Sequence, residues 1–216
     1  MEVVSLTVGP VQENCHIARL SGSQAAIVVD PGDEAARLLE AIDKLELEVA
    51  GILLTHTHFD HVGAVAPVAR ATGAEVWCPE LEVEVLADIM RFVPWPGFGP
   101  FESYDADHTV AGGERLSFAG MEIDVLFTPG HSPGHVTYSI PAEQALFSGD
   151  VLFAGSVGRT DLPGGDSATL MRSLGLLVEA LPGETAVYPG HMSNTTIGRE
   201  RATNPFLQDL TSPLGS

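Results

Sequence analysis

The sequence predicts an α/β chain in which two sheets face one another and helices cover them on the outside. Three observations lead there. Strand and helix patterns alternate through the first half, closely spaced strand patterns fill residues 115–148, and an amphipathic helix followed by another strand closes the second half. At 216 residues, with no linker-like stretch, the chain reads as one domain over residues 1–216.

Val4, Leu6 and Val8 alternate as in a half-buried strand, and an apolar run at 25–29 stops at the turn former Asp30-Pro31-Gly32. Asp33 is the candidate N-cap of a helix over 34–42, with acidic residues in its first turn. The short apolar run 51–55 predicts a buried strand. A helix after His61, a strand at 75–78 and a helix near 81–90 follow. Beyond Arg115 strands are expected at 115–118, 121–127, 135–140 and 145–148, the first pair joined by a hairpin turn at Gly120. Ser167 then caps a helix that places Leu170, Leu174, Leu177 and Val178 on one face and ends at Pro182-Gly183; the last strand is expected at 185–188.

Hydrophobic residues make up 44 % of the chain, enough for a sizeable core, and the apolar runs stop well short of the ~20 residues needed to cross a bilayer. The N-terminus is acidic and alternating instead of basic and apolar, so no signal peptide is read and a soluble, cytoplasmic protein is expected. Twenty-nine acidic against 10 basic residues leave a net charge of −19, which repels phosphate backbones and anionic membrane surfaces. The expected partner is therefore a small molecule, with no nucleic acid and no membrane. Cys15 and Cys78 stand far apart, outside any metal-binding spacing, and are expected as buried thiols. Residues 91–113 are rich in Pro, Gly and aromatics within a chain only 6 % aromatic overall. Such a loop either lines a binding site or pins itself to the body or to a second copy of the chain, leaving a homo-oligomer open.

The strongest chemical signal is Thr55-His56-Thr57-His58-Phe59-Asp60-His61, directly after a buried strand. Residues two apart in an extended or turning segment point the same way, so His56 and His58 can face one metal ion while Asp60 and His61 face a neighbouring one. Crowding four titratable groups at a strand end is costly without cations to neutralise them. Three later strands end in glycine-containing turns that each present one polar residue: His131 after Pro129-Gly130, Asp150 after Ser148-Gly149, and His191 after Pro189-Gly190. Together these sites supply five histidines and two carboxylates, the ligand set that two adjacent metals require.

This pattern resembles the metallo-β-lactamase superfamily, whose His-x-His-x-Asp-His motif is followed by a His, an Asp and a His on later strand ends. The resemblance implies an αββα sandwich of two mixed sheets covered by helices. It also implies one metal on His56, His58 and His131 and a second on Asp60, His61 and His191, with Asp150 bridging. Zinc is the expected metal, with iron and manganese open to the same donors. The segments 29–32, 152–161, 196–198 and 204–207 are similar to the glyoxalase II-like thioesterases, especially their short bacterial relatives. Asp30 is then expected to accept a hydrogen bond from a ligand histidine. Arg159 and Asp161 either bind substrate or pair with each other beneath the site.

Full-length glyoxalase II enzymes continue into a helical region with basic and tyrosine residues that grip glutathione. Here only Arg199 and Arg201 follow His191. The expected activity is hydrolysis of a thioester such as S-lactoylglutathione or a related acyl thiol by a dinuclear-metal-activated water, with Asp60 and Asp150 in catalytic roles. The alternatives are a mononuclear iron persulfide dioxygenase, whose Gly-Arg-Thr-Asp run resembles 158–161, and a lactonase of the same superfamily. His135 is expected to support the site without being a ligand.

Overall fold

The computed structural model describes residues 1–93 and 95–208. Strands β1 (Glu2–Val8), β2 (Glu13–Arg19) and β3 (Ala25–Val29) form an antiparallel run. Helix α1 (Ala35–Lys44) crosses to β4 (Glu48–Leu53), and the short helix α2 (Phe59–Val62) with α3 (Val65–Thr72) crosses to β5 (Val76–Pro79). Helices α4 (Val83–Ala87) and α5 (Ile89–Phe92) precede β6 (His108–Val110). These six strands lie in chain order in one sheet, parallel from β3 to β6.

The second sheet comprises β7 (Arg115–Phe118), β8 (Met121–Phe127), β9 (Val136–Ile140) and β10 (Ala145–Gly149). A small hairpin, β11 (Leu152–Phe153) with β12 (Ser156–Val157), and helix α6 (Ser167–Ala180) then lead to β13 (Ala186–Pro189), β14 (Thr195–Thr196) and α7 (Ile197–Thr203). Its order is β14-β13-β10-β9-β8-β7, with β10 and β13 parallel and the other neighbours antiparallel.

Alternate residues of one strand enter different apolar layers. From β3, Ala26 and Val28 pack under the first-half helices with Leu38 and Val68, whereas Ile27 and Val29 meet Ile123, Tyr138 and Phe147 between the sheets. In β10, Leu146 turns outward onto Leu170 and Leu174 of α6 while Phe147 faces inward. Strands buried on both faces read as unbroken apolar runs, which is what 25–29 and 51–54 are. The result is the helix, sheet, sheet, helix layering expected of the αββα sandwich. No helix among the described residues is long and apolar enough to cross a membrane.

Several local expectations are corrected. Asp33 does not cap α1: Glu34 occupies the cap position in the left-handed region at φ 52° with no side-chain cap bond, and Asp33 accepts from the Glu34 amide instead. Asp166, not Ser167, caps α6, accepting from the Thr169 amide at 2.7 Å. The helix near 81–90 is two short helices broken at Asp88, and the 185–188 strand is followed by β14. The Gly120 hairpin is as expected, with Ala119 and Gly120 both at positive φ, as a two-residue type I′ turn demands. Both cysteines are free and buried.

Two glycines give a paired test. A Cβ on Gly32 would sit 1.7 Å from the Asp60 carbonyl oxygen, whereas one on Gly175, inside α6, meets nothing within 4 Å. Gly32→Ala should cost about 1–3 kcal/mol through forced backbone displacement, and Gly175→Ala should stabilise by about 0.5–1 kcal/mol. Denaturant midpoints of the two variants moving in the same direction would contradict this packing.

Candidate metal centre

The seven expected donors meet at one end of the seam between the sheets. Leaving β4, the chain extends through His56 and His58 and then enters α2, so Asp60 and His61 swing to the side facing the second sheet. His58 Nδ1 lies 3.1 Å from His56 Nε2 and 2.8 Å from His131 Nε2. Beside this trio, His191 Nε2 is 3.3 Å from Asp60 Oδ2 and His61 Nε2 is 3.9 Å from it. Asp150 sits between the two groups: Oδ1 is 3.3 Å from His61 Nε2, and Oδ2 is 3.5 Å from both His131 Nε2 and His191 Nε2.

Each set, His56–His58–His131 and Asp60–His61–His191, offers three ligand atoms within 4.8 Å of one another. Asp30, His56 and His61 meet the same distance criterion, but the Asp30 carboxylate is already engaged. It accepts from the Thr55 amide at 2.7 Å, from the Thr55 hydroxyl at 2.6 Å and from His61 Nδ1 at 3.0 Å. Asp30 therefore orients His61, as its expected role requires.

Three of the other four histidine donors are bonded at Nδ1 in the same way. His131 Nδ1 donates to the Arg159 carbonyl at 2.8 Å, His191 Nδ1 to the Gln12 carbonyl at 3.2 Å, and His56 Nδ1 meets the Thr55 hydroxyl at 3.1 Å. Bonds at those nitrogens leave Nε2 of each ring facing the cluster. Burial first, and then the neighbouring imidazoles, push His56 well below the usual histidine range and hold His58 at about 4. Against the cost of burial, His61 and then the other imidazoles hold Asp150 below the usual carboxylate range, and the bond from His191 does the same for Asp60. Against the cost of burial, Asp150 raises His61, and the bond to Asp60 followed by the charge of Asp150 raises His191, while His56 and His58 stay neutral. Imidazoles gathered around ionised carboxylates are the donor set of a divalent cation. His61 Nε2 and Asp150 Oδ1, both buried, have no hydrogen-bond partner. The residues fit a metal pair.

Two supports were not legible as such, and a third was. Glu82, buried after β5, accepts from the Thr57 amide at 2.7 Å, the Thr57 hydroxyl at 2.9 Å, the Gly134 amide at 2.9 Å and the Ser132 hydroxyl. One carboxylate thus ties the residue between His56 and His58 to the loop carrying His131. Asn14 on β2 clasps both sides of His191: its amide donates to Gly190 O at 2.7 Å and its side chain to Pro189 O at 3.1 Å and Met192 O at 2.9 Å. Buried His135 accepts from the Asp150 amide at 3.1 Å and meets the Thr128 hydroxyl at 3.1 Å, the supporting place expected of it.

Arg159 and Asp161 do pair, through two contacts of 2.7 Å, but at the exposed rim and not beneath the site. The part of Arg159 that reaches inward is its carbonyl, on His131. The 91–113 segment divides between its two expected roles. Phe92 and Trp95 face the cleft, while Phe98 and Phe101 pack on Phe59 of α2 with ring centroids 5.0 and 5.8 Å away; Pro94 lies outside the described residues. The cleft above the donors has a volume of about 780 Å³.

Two facing sheets with clustered His and Asp donors at one end of their seam define a metallo-hydrolase. The sequence model of the metallo-β-lactamase superfamily matches residues 8–191, and the chain belongs to that superfamily. It is 36 % identical to the hydroxyacylglutathione hydrolase GloC of Haemophilus influenzae, over 96 % of this chain and 98 % of that one. Among solved structures it is similar to the BLEG-1 B3 metallo-β-lactamase, with a TM-score of 0.90 and 38 % identity over 96 % of this chain and 100 % of that one. It is also similar to TTHA1623 in a di-iron-bound form, with a TM-score of 0.84 and 41 % identity over 94 % and 100 %.

Glu82 gives the sharpest local test. Glu82→Gln places amide hydrogens against donors that need an acceptor, which should cost about 1–3 kcal/mol and weaken metal binding ~10–100-fold. Denaturation and a competitive chelator titration measure both, and wild-type values in each would remove Glu82 from the support of the site.

Proposed function

We propose that the chain is a dinuclear-metal hydrolase of acyl thioesters. The observation that carries this is Asp150, whose two oxygens reach both three-donor sets. His56, His58 and His131 would hold one ion and Asp60, His61 and His191 the other, with Asp150 shared. Two divalent ions, zinc foremost with iron or manganese suited to the same donors, would supply an activated water and a Lewis-acidic pull on the substrate carbonyl.

The chain's own residues do the rest. Asp60 and Asp150, ionised at the cleft floor, accept hydrogen bonds from a water there and hold it toward the carbonyl carbon. Thr55, Asp30, Gln12 and Arg159 keep the imidazoles from turning away. The cleft lining also bears on the leaving group. Glu82 is consumed by its hydrogen bonds and Arg159 by Asp161, so among the described residues neither is a free proton donor. A thiolate leaves without protonation, whereas an amine does not. A thioester thus asks least of the residues lining the cleft, and the 36 % identity to a hydroxyacylglutathione hydrolase supports that choice. A small-molecule substrate in the cytoplasm is part of the same proposal.

Asp150→Ala should lower both metal content and thioester turnover by more than the ~10–100-fold typical of an outer partner. The wider test compares S-lactoylglutathione hydrolysis, nitrocefin hydrolysis and oxygen uptake on glutathione persulfide, using protein loaded separately with zinc and with iron. Close to two metals per chain with thioester cleavage is expected. One iron per chain with persulfide-dependent oxygen uptake and no thioester cleavage would overturn the proposal, and so would β-lactam cleavage alone.

A further inference from the structure

Resting on the thioesterase reading, we infer that the preferred substrate carries an extended apolar acyl group on a thiol without carboxylates, instead of a small hydroxyacyl group on glutathione. The walls of the cleft carry this. Leu81, Phe92, Trp95 and Met192, four of the nine exposed large hydrophobic residues among those described, all border this one cavity. Ile89 and Val85 continue the wall from below, and Phe153, Val157 and Leu162 face it. Apolar side chains left in water cost free energy in proportion to their area, and gathering them around one cleft creates a surface that an apolar ligand covers. A lactoyl group, three carbons and a hydroxyl, would leave most of about 780 Å³ unfilled.

The wall is also fixed relative to the donors. Trp95, Phe98 and Phe101 all contact the ring of Phe59, at 6.0, 5.0 and 5.8 Å between centroids, and Phe59 immediately precedes Asp60 on α2. An acyl chain lying against Trp95 is thereby set at a constant distance from the cleft floor. A preformed wall of this kind binds without paying to order itself.

Charge excludes the other half of the usual conjugate. Glutathione presents two free carboxylates, and Arg159 is the only Lys or Arg among the described residues bordering the cleft. Its guanidinium is engaged at both Nε and an Nη by Asp161. Arg201 donates instead to the carbonyls of Val178 and Leu181 at the end of α6, and Arg199 does not line the cleft. With a net charge of −19 around it, the cleft offers glutathione no counter-charge.

The test uses the metal-loaded protein and acetyl, butanoyl, hexanoyl and octanoyl thioesters, each made on N-acetylcysteamine and on glutathione. The kcat/KM should rise about fourfold per methylene, ~4,000-fold over the six methylenes from acetyl to octanoyl, and the N-acetylcysteamine series should exceed the glutathione series. Trp95→Ala should cut the octanoyl-to-acetyl ratio at least ~10-fold. A flat series, or preference for the glutathione esters, with thioester cleavage intact overturns this inference alone. If no thioester is cleaved, calorimetry with the uncleavable octyl and ethyl thioethers of N-acetylcysteamine still decides it. Octyl binding tighter by ~4,000-fold, about fourfold for each of six methylenes, upholds the apolar subsite, and equal binding removes it.

Discussion

Lone pairs that repel one another are held within hydrogen-bonding distance of each other, and much of the surrounding structure exists to keep them there. Three imidazole nitrogens stand 2.8 and 3.1 Å apart with no proton required between them, beside two ionised carboxylates. Each ring would gain by turning its proton inward. Where an acceptor stands behind the ring, Asp30 for His61, the Arg159 carbonyl for His131 and the Gln12 carbonyl for His191, it fixes a proton on the far side. The repulsion that remains is what divalent cations relieve, so folding and metal binding are coupled at this point.

The same constraint explains why the sheets are sewn together here. The Val136 amide of the second sheet donates to Thr55 O, Tyr138 donates to Leu54 O, and Asn14 of the first sheet binds the backbone around His191. Gly190 lets the last turn approach so closely that a Cβ there would lie 2.4 Å from Asp150 Oδ1. Donors drawn from strand ends far apart in sequence can converge only if the turns carrying them are bonded to one another, and these contacts do that.

The donors themselves were legible because glycine-containing turns after apolar strands announce a side chain aimed from a strand end. The layering was legible from runs too apolar for a one-sided sheet. Among the supports of the donors, Asp30 and His135 were legible, but Glu82 and Asn14 were not. Glu82 stands among Glu80, Glu84 and other surface acids, and only its burial against four donors distinguishes it. Strand β2 was missed because Glu13, Asn14 and His16 lie on it, buried and polar, which breaks the two-residue alternation. Glu13 is the extreme case, a carboxyl with neither oxygen hydrogen-bonded, which burial pushes well above the usual range. Strand β6 is three residues within a loop-like composition and carries no periodic signal of its own.

The cleft's aromatic wall and its floor are held largely by different bonds, while Asn14 holds both Met192 of the wall and the turn of His191. The wall segment makes its polar contacts away from the donors, Ile89 amide to the Ser103 hydroxyl, Tyr104 amide to Leu86 O, Glu102 with Arg70 of α3 and Asp107 with Val76 of β5, and meets the donor helix through rings on Phe59 and Gly63. The floor depends on Asp30, Glu82, Asn14 and His135, none of which faces the wall's apolar side chains through a hydrogen bond. Variation at Phe92 and Trp95 therefore reaches the floor less directly than variation at Leu81 or Met192, which adjoin Glu82 and His191. A lineage built this way can exchange what it admits while keeping the chemistry it performs, because the inheritance of the reactive centre does not pass through the two aromatic residues that help choose its guests.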